Sequence, residues 1–288
     1  MTRRSALLLV LLLPLLHLLA ACAPGARRMD IETAQALAAP ARLDARLRRG
    51  GQFVLTTRER IDRPGSDVII YIEGDGFAWA TRTLPSNDPT PDNPVALALA
   101  ALDPAANVAW IARPCQYTPR TENPACAEYF WTHGRLAPEV VQSVDAAVSA
   151  IKAAARATRV HLVGYSGGGG VAVLVAARRA DVASIRTLAG NLEIDAFTRL
   201  HGVSPMTGSL NPGAAAKSVE QIPQQHWVGG ADTIVPVAIS RAYLAAMTRQ
   251  HCARVTVLPG VSHYDGWLAA WRTLVPTLPA CEPTPAAK

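Results

Sequence analysis

The stretch Gly164-Tyr165-Ser166-Gly167-Gly168 sets one serine among glycines, directly after the apolar run Arg159 to Val163. A serine hydroxyl is a weak nucleophile. It attacks a carbonyl only when a base takes its proton, and the base works only when an acid orients it and stabilises its charge. Both residue types follow downstream. "VGGADTIVP" carries Asp232 and "LPGVSHYDGW" carries His263, each just after a short apolar run. The chemistry these three could do together is acyl transfer through a covalent serine intermediate. Asp195, in "GNLEID", is the rival acid. The other histidines fit less well. His17 lies in the apolar leader and His161 within an apolar run, while His133, His201, His226 and His251 lack a loop setting after a strand.

Competing glycine motifs fail on spacing. A phosphate-binding loop needs a Gly-Lys-Ser/Thr ending, which is absent here. A dinucleotide fingerprint needs G-x-G-x-x-G early in a βαβ unit, and Gly164 and Gly167 are spaced wrongly and lie past mid-chain.

A reactive serine needs elements that hold it. Short runs rich in β-branched and aromatic residues read as strands: Phe53 to Thr57, Asp67 to Gly74, Asn107 to Arg113, Arg159 to Val163, "SIRTLAG", "QHWVGG" and "ARVTVLPG". Val140, Val144, Val148 and Ile151 recur at helical spacing, so Pro138 to Ala157 reads as an amphipathic helix. Further helices are expected over Gly168 to Arg179, near Pro236 to Gln250 and over Asp265 to Val275. Strands alternating with helices predict a mostly parallel sheet with helices on both faces. Ala80 to Pro94 and His201 to Pro223 are rich in Pro, Gly, Ser and Asn and read as loops.

G-x-S-x-G between a strand and a helix, followed by Asp and then His after later strands, resembles the α/β-hydrolases from about Gly51 to Leu278. The resemblance implies a three-layer α/β fold, with Ser166 as nucleophile, His263 as base and Asp232 as acid. It implies no metal and no organic cofactor. It also implies an oxyanion hole in which the Gly167 N–H is one donor. The second donor comes from the loop after an early strand, where many members read His-Gly-x. Here the loop reads "YIEGDGFAW", with Glu73 in place of the histidine. Gly74 and Asp75 match the Gly-x pair, so the Asp75 N–H is the implied donor, with Gly76 next. "EGDG" also reads as a plain turn or a cation loop. Glu73 and Asp75 either hold neighbouring loops or favour a cationic or polar substrate. Trp79, Tyr165 and Trp267 are candidates to line the pocket, and each reads equally as packing.

The function this implies is a serine carboxylesterase for small soluble esters. An amidase, a peptidase or an acyltransferase would use the same residues, and a catalytically silent envelope protein could use the same scaffold for binding. The region Asn191 to Pro223 lacks the long apolar stripe of a helical lid, apart from a short helix expected at "LEIDAFTRL".

The N-terminus looks like an export signal. Arg3 and Arg4 precede an apolar run, Ala6 to Ala21, and "LAAC" ends at Cys22. The tetrapeptide resembles the lipobox of bacterial lipoproteins, which implies a lipid-anchored envelope protein. Ala23, not Asp, follows the cysteine, which implies the outer membrane, facing the periplasm. The expected organisation is a signal at 1–21, a tether with some helix at 22–50 and one hydrolase domain at 51–288. Cleavage would remove Arg3 and Arg4 and no acid, so the formal charge falls from +6 to +4. The arginines are scattered and not interleaved with aromatics, so nucleic-acid binding is not favoured. Half the residues are hydrophobic and 17% are charged, so a sizeable core is expected. Cys115, Cys126, Cys252 and Cys281 remain, an even number suited to disulfides in an exported protein. Three pairings are open. Cys115 with Cys126 would close a polar loop, and Cys252 with Cys281 would tie down the C-terminal tail. Metal binding and free buried thiols are the competing readings.

Overall fold

A computed structural model describes residues 25–283. The elements are α1 (Gly25–Ala38), β1 (Asp44–Gly50), β2 (Phe53–Ile61), β3 (Val68–Ile72), α2 (Val95–Ala101), β4 (Asn107–Ile111), α3 (Pro138–Ala155), β5 (Val160–Tyr165), α4 (Gly167–Ala176), β6 (Val182–Leu188), α5 (Ile194–His201), α6 (Pro212–Ala215), β7 (Gln224–Gly229), α7 (Val237–Ala245), β8 (Ala253–Leu258) and α8 (Trp267–Leu274). The eight strands form one sheet in the order β1-β2-β4-β3-β5-β6-β7-β8. β2 runs antiparallel to β1 and β4, and every other pairing is parallel.

The strand sequences explain the layering. β4 and β5 are buried at every residue, as continuous apolar runs must be when helices cover both faces. One face buries the α3 stripe Val141, Val144, Val148 and Ile151 together with the valines of α4 and Tyr243 of α7. The other buries α2 with Ala34 of α1 and Trp267 and Trp271 of α8. Three layers result. β4 and β5 flank β3 on opposite sides, so the chain reverses its direction of travel at β3. In open α/β sheets, ligands bind at the carboxyl ends of strands beside such a switch point. The loops after β3 and β5 carry Glu73–Gly76 and Ser166 there.

Residues 25–50, expected as a tether, belong to the domain. α1 packs on α2, and β1 pairs along its whole length with β2, Asp44 opposite Glu59 through Gly50 opposite Phe53. The sequence concealed this because β1, "DARLRRG", is an exposed edge strand in which arginines replace the usual alternation. The expected loop at 201–223 also contains α6 and a short 3-10 turn, Ala216–Val219. The cysteines pair as Cys115–Cys126 and Cys252–Cys281. Cys22 and the proposed signal lie outside the described residues.

Candidate active site

Ser166 joins β5 to α4 at φ 50° and ψ −123°, a left-handed position that strains a non-glycine residue. The turn closes only because its neighbours lack side chains. A Cβ on Gly164 would lie 2.3 Å from the Gly168 carbonyl oxygen, and one on Gly168 would lie 2.3 Å from the Ile72 carbonyl oxygen. The four-glycine run therefore lets α4 begin directly against β3 and β5.

The two expected partners arrive from separate loops. Asp232 follows β7. Its Oδ1 accepts the N–H groups of Ile234 and Val235, both at 2.8 Å. Its Oδ2 accepts from His263 Nδ1 at 2.9 Å. With Nδ1 donating, Nε2 is left as the base, and it stands 3.1 Å from Ser166 Oγ. Burial pushes the Asp232 carboxyl up, but the hydrogen bond and charge of His263 and the two backbone donors outweigh it, so its pKa is below the ordinary value. His263 is held from behind: Tyr165 Oη and Trp267 Nε1 donate to its carbonyl at 2.7 and 2.9 Å. Asp195 lies on α5 and accepts from Asn211 Nδ2 at 3.0 Å, so it serves the loop before α6 and not the histidine.

The loop after β3 abuts the elbow. A Cβ on Gly74 would lie 3.4 Å from Ser166 Cβ, and one on Gly167 would lie 2.1 Å from Asp75 Oδ1. Glu73 is 1% exposed and points inward. It accepts from the N–H groups of Gly74, Ala96 and Leu97 and from Trp110 Nε1, capping the start of α2. Burial raises its pKa against these bonds. The Asp75 carboxylate is shared by Arg113 Nη1 and Arg135 Nη1, each at 3.0 Å. Burial works to raise its pKa, and the two guanidinium groups hold it below the ordinary value. Both acids thus hold loops in place, and the cation-loop reading of "EGDG" has no geometric support. The Asp75 and Gly167 N–H groups find no acceptor among the described residues. Gly76 follows at φ 68°.

A cleft of about 610 Å³ opens over Ser166 and His263. Trp79 and Tyr165 line it, together with Gly74, Asp75 and Gly76. Trp267 does not: it is fully buried, and its indole serves the His263 carbonyl. Sequence reasoning missed Phe77, Arg135, Asn191, Phe197, Ile234, Val235 and Tyr264 in the wall. Arg135 and Asn191 sit in stretches without a motif, and nothing local marks them. Ile234 and Val235 adjoin Asp232 in "ADTIVP", where apolar residues beside a candidate acid were a usable signal.

No protein-family model and no curated protein matches the chain. Among solved structures it is similar to an α/β serine hydrolase homologue from Coxiella burnetii, at 15% identity and TM-score 0.57 over 81% of this chain and 95% of that one. It is also similar to Est1E from Butyrivibrio proteoclasticus, at 15% identity and TM-score 0.56 over 80% and 95%. An esterase from Pyrococcus furiosus matches at 14% identity and TM-score 0.57 over 82% and 92%. The chain has the α/β-hydrolase fold.

Proposed function

We propose that the protein is a serine hydrolase that cleaves small carboxylic esters through an acyl-enzyme. The observation that carries this reading is the hydrogen-bonded chain Ser166 Oγ to His263 Nε2 at 3.1 Å and His263 Nδ1 to Asp232 Oδ2 at 2.9 Å, at the floor of a cleft. Ser166 Oγ attacks the ester carbonyl as His263 Nε2 takes its proton. Asp232 stays ionised and stabilises the imidazolium. The carbonyl oxygen gains charge and is met by the N–H groups of Gly167 and Asp75. Collapse releases the alcohol, which takes the proton from His263. Water then gives a proton to His263 and attacks the acyl group, and collapse releases the acid as His263 returns that proton to Ser166 Oγ. The esterase and hydrolase names of the structural neighbours agree with this reading.

The test is covalent labelling with a fluorophosphonate alongside hydrolysis of p-nitrophenyl butyrate. Wild type should label at Ser166 and turn over, and Ser166→Ala should do neither. Hydrolysis surviving in Ser166→Ala would sink the proposal. The envelope location is proposed on the N-terminal sequence alone: Arg3 and Arg4, the apolar run Ala6 to Ala21, and "LAAC" followed by Ala23. Mass spectrometry of membrane-extracted protein should find the mature chain beginning at an acylated Cys22, and a product there without acyl mass would refute it.

A further inference from the structure

The Asp75 carboxylate is an unusual neighbour for a nucleophile. It is largely but not fully buried, it occupies the space where Gly167 would carry a Cβ, and its Oδ1 would lie 2.1 Å from that atom. Two arginines from distant parts of the chain hold it. Arg113, just past the end of β4, donates Nη1 to Oδ1 at 3.0 Å and also donates Nη2 to the Arg135 carbonyl. Arg135, ahead of α3, donates Nη1 to Oδ2 at 3.0 Å and Nε to the Thr132 carbonyl at 2.8 Å. The side chains of Arg113, Arg135 and Asp75 are only 5%, 14% and 16% exposed. Gln116 continues the brace: it accepts from the Arg113 N–H and donates to the Gly74 carbonyl, both at 3.1 Å.

Stability alone does not explain this cluster, because well-packed apolar residues usually do as well as a buried ion pair or better. Arg135 also lines the cleft onto which Ser166 opens, so one guanidinium group faces the site directly. Resting on the ester-hydrolase reading, the geometry points to Arg113 and Arg135 as positioning residues for the oxyanion hole. They clamp Asp75 so that its N–H and that of Gly167 converge on the reacting oxygen, and the Arg135 guanidinium in the cleft wall favours that oxygen as it becomes anionic. Among the described residues, the hydrogen bonds of both guanidinium groups go to Asp75 and to backbone carbonyls, not to Ser166 or His263. The effect falls on the transition state and not on the neutral ester, which is the signature of preorganised electrostatics.

The test compares Arg135→Gln and Arg135→Lys with wild type on p-nitrophenyl butyrate, with active sites counted by fluorophosphonate titration and folding checked by thermal melting. Arg135→Gln should lower kcat per titrated site by about tenfold or more, within the range of losing part of an oxyanion contact, with KM within about threefold. Affinity for butylboronic acid, which forms an anionic tetrahedral adduct on Ser166, should fall in parallel. Arg135→Lys should recover part of both. If Arg135→Gln does not fold, Arg113→Lys, which keeps charge but cannot make both of its contacts, should show the same split. A kcat per site within threefold of wild type, a change confined to KM, or boronate affinity that does not follow kcat overturns the inference while the hydrolase reading stands. A wild-type protein that neither labels at Ser166 nor cleaves the ester overturns both.

Discussion

That Ser166, Asp232 and His263 come together was legible because the signal is local: each sits at the end of an apolar run, and the candidate acid and base follow the candidate nucleophile in chain order. Replacing Asp232 by Asn should lower kcat by on the order of 10⁴-fold, since the amide would favour the wrong imidazole tautomer. Asp195→Asn should change kcat little, because Asp195 is bound to Asn211. Kinetics of the two variants on one ester check this, and a larger loss in Asp195→Asn would reverse the assignment. The roles of Glu73 and Asp75 were not legible. A carboxylate's meaning depends on its donors, and those of Asp75 come from Arg113 and Arg135, 38 and 60 positions away. Trp267 misled for a related reason. A tryptophan near a candidate catalytic histidine reads as pocket wall, yet its one N–H binds the histidine's carbonyl. Gly164 shows what the motif conceals. Gly164→Ala would drive its Cβ into the Gly168 backbone, 2.3 Å away, with no flexible side chain to yield. The expected result is insoluble or unfolded protein, and a soluble, active Gly164→Ala would show that the elbow has more room than this.

At the level of elements, the parallel strands and α3 were readable because burial on both faces and a 3.6-residue stripe leave strong patterns. β1 was not, because it is an arginine-rich edge, and although some helix was expected within residues 25–50, the docking of α1 was hidden by its polar, alanine-bearing sequence. The docking of α1 carries a testable charge conflict. Burial, then the charge and hydrogen bond of Asp92, then Asp88, raise the Asp30 carboxyl to about 6. A folded-state pKa above the unfolded value of 3.8 means that ionisation opposes the folded state. The penalty is absent below about pH 4 and complete above about pH 6. Asp30→Asn should therefore raise Tm at pH 7 and leave it nearly unchanged at pH 4, as read by calorimetry at the two pH values. An equal effect at both would exclude this origin. The disulfides also separate by element. Losing either should cost about 3–4 kcal/mol on loop-closure grounds. Cys115–Cys126 adjoins Gln116, whose amide holds the Gly74 carbonyl beside Ser166. Cys252→Ser with Cys281→Ser should lower Tm and spare kcat, whereas Cys115→Ser with Cys126→Ser should lower both.

The shape of the whole molecule decides what can reach the serine. The cleft sits at the sheet's switch point and is walled largely by Phe77, Trp79, Phe197, Ile234, Val235 and Tyr264. Phe77 and Tyr264 at its mouth are 47% and 59% exposed, an apolar rim that the polar sequence of Ala80 to Pro94 did not suggest. Phe197 comes from α5, which is only eight residues long, closed at Gly202 in a left-handed turn and followed by α6 and the 3-10 turn. A lid that opens onto lipid needs a longer amphipathic helix with a continuous apolar face. Among the described residues, no helix is long and apolar enough to cross a membrane either. The aromatic walls should reward a growing acyl chain by up to about fourfold in kcat/KM per methylene buried. That reward stops once the chain projects past Phe77 and Tyr264 into water. Across p-nitrophenyl esters from acetate to palmitate, kcat/KM should therefore climb over the short chains and then level or fall. A triglyceride emulsion should give no jump in rate at its interface. A steady climb to palmitate together with interfacial activation would mean that α5 and the loops around it move as a lid.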